Sequence, residues 1–225
     1  MNHFSQLSEF IAALVNDFFN FDNNLEKYIL HNDPNAPYPM LITNVNPLII
    51  RTCVKDNVWD QFSYQFSHEY THLVIRSFKN DKNKYLKWFE ETICESMSLF
   101  TLIHLSNNWK LCPFYSLNTN YSDSIKKYFE NEYKKSGSKL KFCKNHLELK
   151  KIDNTCESCR EERYDERNFV YKVISNYNEK VKIIFDYTNY ISNNDLLIDF
   201  DSWVNKYDDE YRDIINEIKK IQPIF

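Results

Sequence analysis

His68-Glu69-Tyr70-Thr71-His72 sets two imidazoles four residues apart, with a carboxylate directly after the first. On a helix, residues four apart project from one face, one turn above the other. Two neutral imidazoles so placed can reach a single cation, and Zn2+ suits them. Glu69 stands beside that face. Its carboxylate can reach a water held at the metal and take its proton as the water attacks a carbonyl. This is the HExxH arrangement of zinc-dependent hydrolysis. Two histidines on a helix face can also make ordinary hydrogen bonds and nothing more. The neighbours favour the metal. Phe62, Phe66, Leu73 and Phe78 give the segment the apolar spacing of a buried helix. Two histidines and a glutamate inside such a helix are costly to bury unless paired or metal-bound.

A catalytic zinc needs a third protein ligand and one open position. The next helix carries Trp88-Phe89-Glu90-Glu91-Thr92-Ile93-Cys94-Glu95. Glu90 and Glu91 point about 100° apart, so only one of them can face a given ion. Glu91 and Glu95 share a face.

The sequence here resembles the gluzincin metallopeptidases, the thermolysin-like and aminopeptidase-N-like enzymes. His68, Glu69 and His72 match the HExxH of that family. Eighteen residues separate His72 from Glu91, and Trp88 stands three before it, as in the aminopeptidase-type segment. The metzincin pattern, with a Gly and a His soon after the motif, is not met by Leu73-Val74-Ile75-Arg76-Ser77-Phe78. The resemblance covers about Trp59 to Phe100. It implies a zincin-like core with a small sheet beside the HExxH helix. It also implies Glu91 as the third zinc ligand, Glu69 as the general base, and Glu95 as the acid that hydrogen-bonds a zinc histidine. The Gly-rich exopeptidase motif of the aminopeptidases is missing, since the chain has one glycine, Gly137.

A looser resemblance links Tyr64-Gln65-Phe66 and Tyr164-Asp165-Glu166-Arg167-Asn168 to a group of small, uncharacterised bacterial HExxH proteins. Gluzincins stabilise the tetrahedral oxyanion with the metal plus a Tyr, His or Arg from the second lobe. Tyr164, Arg167 and Tyr171 are the candidates here. Arg167 and Tyr171, four apart, share a helix face as substrate-binding residues. Leu48 to Val54 resembles the edge strand on which such enzymes lay an extended substrate. The implied activity is zinc-dependent cleavage of an amide in a peptide or protein. The alternative is a non-catalytic zincin-fold protein that acts by binding a partner, for example in a toxin or defence system.

A second cluster, Cys143-x2-His146 and Cys156-x2-Cys159, has the spacing of two jaws of a structural zinc site. It can equally be four unlinked residues in a variable loop. Cys53, Cys94 and Cys112 sit among apolar neighbours and read as buried thiols. Such cysteine usage fits a cytoplasmic protein, where metal binding or burial is commoner than disulfides.

The elements that must hold these residues follow from periodicity. Phe4, Leu7, Phe10, Ile11, Leu14, Val15 and Phe18 repeat as an amphipathic helix. A short helix is expected over Leu25 to Leu30, then strands over Met40 to Thr43 and Leu48 to Val54. Two long helices follow, Val58 to Phe78 and Lys84 to Ser106, joined by a polar loop from Lys79 to Asn83. Leu111 to Tyr121 reads as a loop, Ser122 or Asp123 as the cap of a helix running to Lys135. Residues 136–160 form an irregular Cys/His-containing loop. Helices return over Tyr164 to Tyr177, Val181 to Ile191 and Trp203 to Ile221.

The class is therefore α+β and predominantly helical. A metal-binding lobe is expected over 1–110 and a helical C-terminal lobe over 111–225. With 43% hydrophobic residues, 17 Phe and 16 Tyr, the chain can fill such a core. A net charge of -4 speaks against a nucleic-acid partner. One glycine excludes phosphate-cradling loops. No apolar run is long enough to span a bilayer.

Overall fold

The computed structural model describes residues 3–21, 25–55, 57–79, 85–192 and 196–225. The class is α+β and mostly helical, with one three-stranded sheet. The chain divides into two compact units, Met1–Ser77 with Met97–Lys134, and Phe78–Ser96 with Lys135–Phe225. Neither unit is a continuous stretch, so the expected boundary at 110/111 falls inside the first. The expected Lys79 to Asn83 loop lies, beyond Lys79, outside the described residues.

The first unit holds α1 (His3–Phe19), β1 (Tyr28–Asn32), β2 (Met40–Ile42), β3 (Leu48–Thr52) and α2 (Trp59–Phe78), the last but for Phe78. α3 (Lys87–Asn107) enters it at Met97, and α4 (Tyr121–Tyr133) closes it. Its core forms where the apolar stripe of α1 meets α2. Phe4 stacks on Phe62 at 4.4 Å, and Phe62, Phe66 and Tyr70 continue the stack down one face of α2. Offset ring pairs of this kind add to simple area burial. The first amides of α2, those of Trp59 and Asp60, bond to the Tyr121 hydroxyl at 2.9 and 3.2 Å. A phenol from a distant helix thus satisfies donors that a local cap would normally serve.

The sheet order is β1-β3-β2, with β1 parallel and β2 antiparallel to β3. Two expectations fail here. The segment expected as a helix over Leu25 to Leu30 contributes instead the strand Tyr28–Asn32. Its side chains alternate in burial, and its apolar run is too short for periodicity to tell strand from helix. β3 is central, not an edge. Both of its sides are already paired, so it cannot accept an added substrate strand.

The second unit takes α3 as far as Ser96, then α5 (His146–Thr155), α6 (Tyr164–Tyr177), a 3-10 helix (Asn178–Tyr190), α7 (Phe200–Asn205) and α8 (Asp209–Lys219). The region expected to be irregular contains α5. Asn145 caps it, accepting from the Glu148 amide at 2.9 Å, while Glu148 accepts from the Lys144 amide at 2.8 Å. The pairing resembles a capping box, except that Glu148 reaches back to the amide of the residue before the cap rather than to that of the cap itself. The single helix expected over Trp203 to Ile221 is two, because Asp208 starts a new one. α6 has the bounds expected of it, and the expected helix over Val181 to Ile191 is a 3-10 winding. Gly137 has a φ of 150°, and a Cβ there would meet the Glu161 carbonyl oxygen at 2.4 Å. That close approach, beside the Ser138–Arg163 bridge, explains why the chain keeps its one glycine at this point.

Candidate metal centre

α2 is buried on nearly every side, from Trp59 to Ile75. Four-residue spacing puts Phe62, Phe66 and Tyr70 on one side, and His68 and His72 on roughly the opposite one. His68 and Glu69 are 3% and 5% exposed, and His72 is half-buried. The Nε2 atoms of His68 and His72 lie 3.3 Å apart, with the rings inclined at 71°. Two nitrogens at about 2.0–2.1 Å from a tetrahedral zinc are separated by about 3.3–3.4 Å. The pair therefore has the spacing of two ligands on one ion. Nitrogens at this separation can also share a proton as a hydrogen bond, depending on tautomer.

Within the helix, hydroxyls satisfy themselves locally. Ser63 donates to the Trp59 carbonyl and Thr71 to that of Ser67, at 2.6 and 2.7 Å. Gln65 accepts from the Cys53 amide at 2.9 Å, which ties the end of β3 to α2. Ser98 of α3 donates to the Tyr64 carbonyl at 3.0 Å. A cavity of about 510 Å3, lined by Asn16, Tyr28, Pro47 and Tyr70 among others, opens on the Tyr70 side of α2. It does not include the histidines.

In the second unit, the first turns of α3 present Glu90, Glu91 and Glu95, which are 7%, 8% and 0% exposed. Glu90 accepts from Lys79 at 2.9 Å and from the Tyr187 hydroxyl. Glu95 accepts from Arg163 at 3.0 Å, with Arg160 at 3.8 Å. Its other oxygen, and the Nε and Nη1 of Arg163, have no hydrogen-bond partner among the described residues. The role the resemblance gave Glu95 was to hold a histidine; the partners seen here are arginines. Glu90 and Glu95 each neutralise a buried cation, so neither can be diverted to a metal without orphaning that cation. Arg163 was missed because Arg160-Glu161-Glu162-Arg163 reads as a solvated charge run. Nothing local marks it for burial, yet it is 0% exposed.

Arg167 is also fully buried. Its guanidinium lies over the Tyr164 ring, 4.5 Å from the centroid, and donates to Asn168 Oδ1 at 3.0–3.2 Å. Its carbonyl accepts from Ser96 of α3 at 2.9 Å. Tyr171 is half-buried, one turn further along α6.

The cysteine cluster does not assemble. Among the described residues, Cys143, His146, Cys156 and Cys159 form no group whose ligand atoms are close enough to share an ion. The thiols of Cys143 and Cys156 point at the carbonyls of Asn145 and Asp153, and His146 packs edge-on to Phe225. Burial raises the Cys156 thiol to about 12, and the charge of Glu91 adds to this against the opposing Arg163. Burial also raises the Cys143 thiol. The capping of α5, which separates the two jaws with a helix, is the physical reason for their divergence.

Glu166 supplies a pH test of this half. Burial raises its carboxyl above the usual range, against the hydrogen bond from Ser138. Between the ordinary and the raised value, the native state keeps a proton that the unfolded chain has lost. Stability is thus favoured by acid there and lost as pH rises through the folded value. Glu166→Gln is expected to flatten that part of the profile. Melting temperatures of both proteins from about pH 4 to about pH 8 check it, and parallel curves would overturn it.

A scan against protein-family models finds no match, nor do searches of curated proteins and of solved structures. The helix geometry and chemistry of the chain are therefore what a functional reading rests on. Among the described residues, no helix is long and apolar enough to cross a membrane.

Proposed function

We propose that this chain is a zinc-dependent hydrolase of the gluzincin kind, cleaving an amide in a peptide or protein. The observation that carries the reading is the His68–His72 pair, 3.3 Å apart at Nε2 on a buried helix, with buried Glu69 beside it. The ligands are His68, His72 and, from α3, Glu91. When bound, zinc supplies a Lewis acid that polarises the carbonyl and acidifies a water. Glu69 takes the proton of the attacking water and delivers it to the leaving amine. Glu91 and Cys94 are three apart on α3 and share a face. Cys94, on the same face of α3, is therefore the second reading for the third ligand. Glu95, with Arg163 on one oxygen, keeps the other for a zinc histidine. Arg167 and Tyr171 are the residues proposed toward substrate.

Elemental analysis of purified protein tests the reading first. One zinc per chain is expected, lost in His68→Ala and His72→Ala, and weakened in Glu91→Ala but not in Cys94→Ser. The reverse order for the last two makes Cys94 the ligand. No bound metal at all sinks the proposal. Zinc without turnover of a broad peptide library points instead to a non-catalytic partner-binding protein.

A further inference from the structure

The second unit carries an exposed surface on which lysines and large apolar side chains are interleaved. From Lys139 to Lys151 there are five lysines and one glutamate, a balance of +4 in a chain whose net charge is -4. This segment folds as a 3-10 turn, Leu140–Phe142, followed by α5. Leu140, Leu149 and Ile152 turn inward and are buried. Phe142 and Leu147 turn outward and are 70% and 65% exposed. Residues three and four apart share a helix face, so Leu147 lies on one face of α5 with Lys150 and Lys151. Both of those lysines are exposed, as are Lys141 and Lys144. Phe225 packs edge-on to His146, with ring centroids 4.6 Å apart, and extends the apolar part of the surface.

Little of this charge is used within the protein. Lys139 pairs with Glu162. Lys141, Lys144, Lys150 and Lys151 make no ion pair among the described residues. The one local carboxylate, Glu148, is turned to the start of α5, where it accepts from the Lys144 amide and the Asn145 side chain. A lysine cluster alone is an ordinary solvated face. Apolar side chains grouped inside a rim of like charge are different, and mark an interaction surface. An anionic membrane has the matching layers, negative headgroups outside and acyl chains just beneath. Nucleic acid matches the lysines but not Leu147, which has no flat face for a base to stack on.

We propose that this face of the second unit docks on a membrane surface of anionic lipid. Lys141, Lys144, Lys150 and Lys151 meet the headgroups. Phe142 and Leu147 enter the acyl boundary, with α5 lying along the surface. Lying on a bilayer is distinct from spanning it, for which no described helix is long and apolar enough. The docking uses none of the residues of the zinc reading and stands apart from it.

The test is sedimentation of the whole chain with vesicles, either of phosphatidylcholine alone or with about one third phosphatidylserine. The parent is expected to bind the anionic vesicles and not the neutral ones. At about 1 M salt, where charges are screened beyond about 3 Å, most of that binding should be lost. A lysine near such a surface contributes about fivefold, so Lys150→Gln with Lys151→Gln is expected to weaken binding about 25-fold. Phe142→Ser with Leu147→Ser keeps every charge and is expected to weaken it about tenfold or more. All four side chains are exposed, so melting followed by circular dichroism should match the parent in both variants. If Phe142→Ser unfolds the chain, Leu147→Ser alone is read instead, with a loss of at least about threefold expected. No sedimentation with anionic vesicles, or equal binding to both kinds, overturns the proposal. So does a lysine pair or an apolar pair whose removal leaves binding unchanged. Binding of a homopolymeric RNA without binding of vesicles makes the face a nucleic-acid surface, and overturns it too.

Discussion

Glu69→Gln is expected to abolish turnover while leaving zinc bound. The glutamine keeps the size and most hydrogen bonds of the native side chain, so α2, buried around it, has no reason to repack. What is lost is a carboxylate able to take a proton. A positioned acid–base group contributes about 10^2–10^4-fold, so turnover of a peptide library should fall by that factor. Zinc content should stay at that of the parent, because the ligand set is untouched. Both measurements are needed together. A variant that cleaves as well as its parent rules out Glu69 as the base, and one that loses its metal makes the residue structural.

The second large effect concerns stability. Arg163 and Glu95 are both 0% exposed and bonded at 3.0 Å. Arg163→Met leaves a carboxylate with no access to water. Removing one partner of a buried pair costs about 3–5 kcal/mol. Arg160, at 3.8 Å from the same oxygen, softens this toward the lower figure. In a chain of this length 1 kcal/mol moves the melting temperature by about 2–4 °C, so a fall of about 6–20 °C is expected. Scanning calorimetry of the metal-free protein measures it. Adding Glu95→Met should restore much of the loss, since an apolar pair no longer buries a lone charge. Melting within about 2 °C of the parent would show that the pair is not sealed from solvent.

Much of the architecture was legible because it depends on local periodicity. The spacing of Phe62, Phe66 and Leu73 foretold α2, and α6 runs from Tyr164 to Tyr177 as its pattern implies. The convergence of His68 and His72 follows from helix pitch alone. Features that depend on distant partners were not legible. β1 is a strand because β3 lies beside it, and nothing within Leu25 to Leu30 says so. The Tyr121 hydroxyl at the start of α2 comes from 62 residues beyond Trp59. Arg163 and Tyr187 gain their meaning from glutamates on another helix. α5 was different: Asn145 and Glu148 announce it, but the cysteine spacing around them suggested a loop. A capping pair is a local, geometrically demanding signal, and here it outweighs a pattern that only permits a metal.

The division of the chain has a consequence for how it is made and cut. Each unit is assembled from two segments, and each pair of segments brackets part of the other. A ribosome must therefore emit residue 134 before the first unit has all its parts, and the last residues before the second does. A protease that nicks the chain once, at any position, yields no fragment that holds one unit alone, because 78–96 travels with the whole first unit and 97–134 with the whole second. Domain dissection by truncation will fail for the same reason. Limited proteolysis should instead yield nicked protein that keeps its size until denatured.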